Sequence, residues 1–308
     1  MKARNDMCKK MILFVLVAAL SLSLAGCRPD SSGETLSTSP SQSGTGNQNS
    51  SPSKPNGQNT FQETILVDNE DLLFKISAIV NDPVWGYTLK AQIENRTDKD
   101  LLIALDEVSV NGYMCDPYFA ATVTAGMKAN KDISFSTDSF EKIGIRNVTD
   151  ITFELRAYDS KNITDDEIID EDFTIYPMGK DAAKEYLRES QEGDIVLFDN
   201  EQCTMMITGF EQDSVWGYSA HVYLRNQTDD TLMFSVGDAA VNGYMCNPYF
   251  AVTVAPGKQC ITEITWSKDA LNENHITEVT TLTLPIRVYE TGGYLHGHIV
   301  NETFTVKP

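Results

Sequence analysis

Basic residues are scarce in this 308-residue chain, which sets 24 Lys and Arg against 44 Asp and Glu for a net charge of −20. A surface of that sign repels phosphate backbones and anionic headgroups, which excludes nucleic acid as a partner. Histidine is scarcer still. The four imidazoles are His221, His275, His296 and His298, so the first 220 residues hold none for acid–base or Cys–His chemistry. Also missing are a phosphate-cradling Gly loop, a Ser-centred elbow and an HExxH pair, and no cofactor is expected. Long apolar runs are limited to Met11–Leu20, too short to cross a bilayer comfortably.

That short run belongs to an ordered N-terminal pattern. Lys2, Arg4, Lys9 and Lys10 precede it, and Leu24-Ala25-Gly26-Cys27 follows it. The pattern resembles the lipobox signal of bacterial lipoproteins. The resemblance implies a signal peptide over 1–26, cleavage before Cys27, and a diacylglycerol on Cys27 that holds the chain outside the cytoplasm. Removing 1–26 takes away four basic and one acidic side chain and leaves 20 basic against 43 acidic, a net charge near −23. Residues 27–60 then read as a disordered tether, because Ser, Gly, Asn, Thr and Pro dominate and little apolar surface offsets the ordering entropy. As a coil, 28–60 would span about 30 Å on average and about 110 Å at full stretch.

The remainder is a duplication. Val84-Trp85-Gly86-Tyr87 recurs as Val215-Trp216-Gly217-Tyr218, and Val110-Asn-Gly-Tyr-Met-Cys115 recurs as Val241-Asn-Gly-Tyr-Met-Cys246. The offset of 131 maps 63–177 onto 194–308 without a gap, with 41 of 115 pairs identical. Boundaries follow at 61–178 and 194–308, and 179–193 reads as a helical or extended linker. Within each copy the apolar period is 2, as in Leu72–Val80, Trp85–Ile93, Leu101–Leu105, Phe119–Val123, Ile133–Phe135, Ile151–Tyr158 and Phe173–Tyr176. Turn signals at Asn95–Asp98, Asn111-Gly112 and Ala125-Gly126 punctuate them. The expected fold is all-β, two tandem antiparallel sandwiches. Trp-Gly-Tyr, Asn-x-Thr-Asp, Val-Asn-Gly-Tyr and a late Arg-x-Tyr strand resemble the immunoglobulin-like (telokin-like) repeats of Gram-positive lipoproteins. The resemblance implies that fold and carries no chemistry with it.

Four candidate features remain. Cys203 and Cys260 both arise only in the second copy, replacing Leu72 and Ala129, and such a pair outside the cytoplasm is expected to form a disulfide. Cys115 and Cys246 occupy one site in both copies and read as buried thiols. His296-Gly-His298 has a spacing that would suit a metal, but two ligands are too few. Trp85, Tyr87, Tyr113 and Tyr118, with their mates Trp216, Tyr218, Tyr244 and Tyr249, are the aromatic residues that would form a ligand patch unless they fill the core. The expected activity is non-enzymatic binding or adhesion to an unidentified protein or glycan, by a chain held at the membrane through Cys27. The alternative is a structural spacer or envelope-assembly component.

Overall fold

The computed structural model describes residues 61–292 and 297–308; the expected signal, Cys27 and the expected tether lie outside them. The first repeat runs β1 Thr64–Asp68, β2 Leu72–Asp82, β3 Gly86–Asn95, β4 Leu101–Val110, β5 Tyr113–Met114, β6 Ala121–Val123, β7 Lys128–Phe135, α1 Thr137–Ile143, β8 Ile151–Asp159 and β9 Ile169–Ile175. The second repeats that order as β10 Ile195–Asp199, β11 Cys203–Glu211, β12 Gly217–Asn226, β13 Leu232–Val236, β14 Ala240–Val241, β15 Tyr244–Met245, β16 Ala251–Val254, β17 Gln259–Ser267, α2 Lys268–Glu273, β18 Leu282–Glu290 and β19 Val300–Val306. The chain is all-β with sandwich-like sheets, as the period-2 pattern predicts.

In the first repeat β1-β2-β3-β7 form one sheet, and β4 pairs with β5, β6 and β8, which pairs with β9. The inward alternate residues of both sheets, among them Leu72, Phe74, Leu89, Ile93, Leu101, Ile133 and Leu155, make one core. The second repeat builds its own core in the same way from Met205, Val222, Leu232, Ile264, Trp266 and Leu284 among others. Two irregularities recur at the 131 offset. The β1–β2 ladder shifts register between Ile65 and Val67, and β10–β11 between Val196 and Phe198. The β2–β3 ladder shifts between Ile76 and Ala78, and β11–β12 between Ile207 and Gly209. Bulges bend and twist a strand, so the duplication preserved sheet curvature as well as core.

The two repeats meet through a sheet. The β5 strand pairs antiparallel with β4 on one side and, at Tyr113 and Gln259, parallel with β17 on the other. The linker, expected to be helical or extended, holds one 3-10 turn, Lys180–Ala182, and no other helix. Beyond it Arg188 makes two hydrogen bonds to Asp194, at 2.6 and 2.8 Å, and lies over the Tyr223 ring. Charge-assisted pairing of this kind holds Asp194 below the usual carboxylate range. It fixes the linker against the second repeat.

Candidate functional site

The repeated polar motifs are explained by backbone demand. Asn111 and Asn242 take left-handed φ near 52°, which starts a two-residue hairpin turn with the following Gly. Asn111 Oδ1 accepts from Thr149 N and Oγ1 at 2.8 and 3.0 Å, and its Nδ2 donates to Asn147 O at 2.7 Å. Asn242 makes the matching bonds to Thr280 and Glu278. Asn95 and Asn226 are fully buried, each receiving the amide and hydroxyl of the Thr two residues on and donating to two carbonyls across the loop. These asparagines tie loops together and offer no free group to a ligand.

The eight candidate aromatics divide. Tyr218 is buried, Tyr87 packs partly buried against the first core and on Phe140, and Tyr113 is buried between the repeats. Burial raises the Tyr218 phenol to about 12 and the Tyr87 phenol further. The other five reach solvent. Trp85 is 55% exposed and Trp216 76%, each beside an exposed Val, with Tyr118, Tyr249 and Tyr244 also outside. Trp85 meets Tyr118 edge-to-face, ring centroids 6.1 Å apart.

Position follows from the strands. Trp85 and Trp216 sit in the β2–β3 and β11–β12 turns. Tyr118 and Tyr249 are pinned to β7 and β17 by backbone donation to Ser134 O and Thr265 O, at 2.7 and 3.0 Å. In the first repeat Asp82 Oδ1 accepts the Val84 and Trp85 amides and so shapes the turn. The expected patch is therefore two separate Val-Trp/Tyr ends, one per repeat. Tyr87 and Tyr218 belong to the core behind them.

Beside the first of these ends lies an open groove of about 1490 Å³, lined by Phe61, Ile79, Tyr87, Phe140, Ile145 and Met178 among others. At the matching place Phe210 replaces Ile79 and stacks on Tyr218 at 6.2 Å. Sequence reasoning missed this groove. Its signal was the Ile79/Phe210 difference under the offset, which becomes meaningful only once these side chains are known to lie beside the matching tyrosines Tyr87 and Tyr218.

No family model and no curated protein matches the chain. Among solved structures it is similar to the exo-chitosanase CsxA of Amycolatopsis orientalis, with 13% identity and a TM-score of 0.23. The match covers 78% of this chain and 26% of that one. A likeness at that level carries no argument about function.

The cysteine expectation is corrected. All four described thiols, Cys115, Cys203, Cys246 and Cys260, are buried and free. Cys203 on β11 faces Asn226 of β12 in the ladder, and Cys260 on β17 faces Leu224 of the same strand. Strand β12 thus lies between them, which separates their backbones by two strand spacings, about 9–10 Å. A disulfide needs Cα atoms within about 7 Å. Burial pushes Cys115 up to about 12 and Cys203 up to about 11. For Cys260 burial comes first, then Asp116 and Cys115 from the first repeat, and the thiol reaches about 12. Such thiols stay protonated and unreactive near neutral pH. In residues 28–308, prepared without reductant, a thiol reagent at pH 8 should therefore label almost none of the four until denaturant is added, and then all four. Release of only two would restore the bond.

Of the two candidate metal ligands, His296 lies outside the described residues. His298 is exposed and edge-on to Tyr289 at 5.8 Å. Among the described residues no three His, Cys, Asp or Glu side chains gather as a metal site would need.

Proposed function

We propose that the chain is a lipid-anchored, extracytoplasmic binding module, a non-enzymatic pair of immunoglobulin-like sandwiches that recognises a protein or glycan. One observation carries this reading: both repeats hold an exposed Val-Trp turn and an exposed Tyr at matching positions, although burying those rings would be favourable. A buried aromatic contributes on the order of 2–3 kcal/mol through burial. Two such ends kept exposed through a duplication are recognition surface of the kind that aromatic anchors supply. The buried thiols and the single-copy His set support recognition over chemistry.

Screening the chain against purified cell-wall polysaccharides and surface proteins tests the reading. A ligand should be found whose binding falls at least tenfold in Trp216→Ala/Tyr249→Ala. Anchoring is tested separately, since Cys27 lies outside the described residues. Cys27→Ala should abolish metabolic labelling with a fatty acid and release the chain from membranes. Labelling that persists in the variant would rule out Cys27 as the anchor.

A further inference from the structure

The same hairpin has opposite fates in the two repeats. In the first, Asn111-Gly112-Tyr113-Met114 plugs into the second repeat: Tyr113 is 8% exposed and clusters with Met206 and Tyr223, flanked by Ile261 and Tyr186. Met114 packs against the second core. The Gln259 backbone N–H donates to Gly112 O at 3.0 Å, and Tyr223 Oη donates to Gln259 Oε1 at 2.8 Å. In the second, Asn242-Gly243-Tyr244-Met245 keeps the turn geometry, with φ of 52° and 84°. Yet Tyr244 is 56% and Met245 63% exposed, and β15 is the outer strand of its sheet.

The socket occupied by the first hairpin opens at the Gln259 end of β17. The second hairpin sits near the other end, where Trp266 Nε1 donates to Cys246 O at 3.0 Å. Plug and socket are thus separated along β17 by about 20–25 Å, a head-to-tail layout. Such heterologous contacts would propagate if each copy fitted the next.

This chain does not offer itself that fit. Subtracting 131 converts the socket residues Met206, Tyr223, Gln259 and Ile261 to Lys75, Gln92, Lys128 and Asn130 on the first repeat. Lys75 and Lys128 there are salt-bridged to Glu63 and Glu94, and Lys128, on the edge strand β7, is of the kind that resists strand addition. The rim charges disagree as well. Lys142 beside the first plug meets Glu263 at 3.5 Å, but the corresponding residue beside the second plug is Glu273. It would face Asp132 on the first repeat, or Glu263 on a vacated socket.

We infer that the Asn242–Met245 hairpin docks on a different protein: one with an open β-sheet edge backed by an apolar Tyr/Met-type cluster and a Gln, with a basic residue where this chain has Glu263. The intramolecular interface supplies the chemistry of the missing half, and the Lys142-to-Glu273 change supplies its charge. The hairpin lies toward the same end of β17 as Trp216 and Tyr249, but the inference is argued from the hairpin's own residues and does not depend on the ligand of the Val-Trp ends.

The chain's own socket, vacated, serves as the probe. Full chain in mild detergent carrying Tyr113→Ala, Met114→Glu, Tyr244→Ala and Met245→Glu has an empty socket and no usable plug. Immobilised, it should bind full-length wild type one to one. Binding should weaken at least tenfold when the donor carries Met245→Glu, and strengthen when the probe also carries Glu263→Lys. If circular dichroism shows that probe unfolded, Tyr113→Ser with the same plug substitutions replaces it. A folded probe that binds no wild type, or binds the Met245→Glu donor equally, overturns the inference. So does concentration-dependent self-association of wild type in sedimentation, which would make a second copy the occupant.

Discussion

Gly217→Ala should cost the second repeat about 3 kcal/mol or more, and Gly86→Ala should do the same to the first. Both glycines stand at positive φ, 142° and 81°, where a Cβ is strained on its own account. A Cβ at Gly217 would overlap the Trp266 carbonyl oxygen and crowd Lys268 N at 2.8 Å; at Gly86 it would overlap Phe135 O and crowd Thr137 N at 2.9 Å. Both obstacles are backbone at the start of a short helix, so neither yields by a rotamer change. Gly257 is the internal control. Its φ is 66° with nothing near the added carbon, and Gly257→Ala should cost only about 1–2 kcal/mol. Urea titrations of the three variants measure the difference, and equal midpoints would refute the close-approach argument.

Asn226→Ala should be nearly as damaging, at about 3–4 kcal/mol. Its amide donates to Asp230 O and Val254 O, both at 2.8 Å, and to Ala255 O at 3.1 Å, and its carbonyl accepts Thr228 N at 2.9 Å and Thr228 Oγ1 at 2.8 Å. A net bond contributes about 1 kcal/mol, and each buried partner stranded by the truncation costs about 1–3 kcal/mol more. Asn226→Asp keeps the acceptor but turns a donor into a second acceptor facing three carbonyls, so it should not rescue. Asn95→Ala predicts the same loss in the first repeat. Thermal or urea unfolding that leaves either variant within 1 kcal/mol of wild type would mean the loops hold without their asparagine.

What the sequence made legible was periodic or repeated. Alternation placed Leu72–Val80 and Ile151–Tyr158 in strands, and the 131 offset aligned two copies whose first two bulges also coincide. Two short helices escaped that reading. Asp138 in the first turn of α1 and Gly144 at its end, with φ of 74°, are ordinary helix signals, but seven residues leave no room for a 3.6 period to show. The Cys203–Cys260 expectation failed for another reason. Joint appearance in one copy shows that two sites changed together, whereas bonding depends on which strand lies between them, and register is set by long-range pairing.

Tyr113 and Tyr244 sharpen the point, because their motifs are identical while one is buried and the other exposed. The cause lies outside the motif, in Met206, Tyr223 and Gln259, which the second repeat carries where the first has Lys75, Gln92 and Lys128. A residue's own neighbours in sequence hold no information about the surface it meets. The split of the aromatic candidates into core, interface and solvent-exposed groups was accordingly beyond a sequence reading.

The central claim is that recognition is shared by the Val-Trp/Tyr ends of both repeats. Affinity for a ligand from the polysaccharide and protein screen, measured for Trp85→Ala/Tyr118→Ala, Trp216→Ala/Tyr249→Ala and the combined variant, tests it most directly. Two linked weak sites gain about 100-fold or more over one when a ligand can engage both. Each paired variant should therefore lose binding by roughly that factor, and the combined variant should bind nothing measurable, all with unchanged melting temperatures. Wild-type binding that survives in the combined variant, or a screen that yields no ligand for the folded chain, would contradict the claim and favour a spacer.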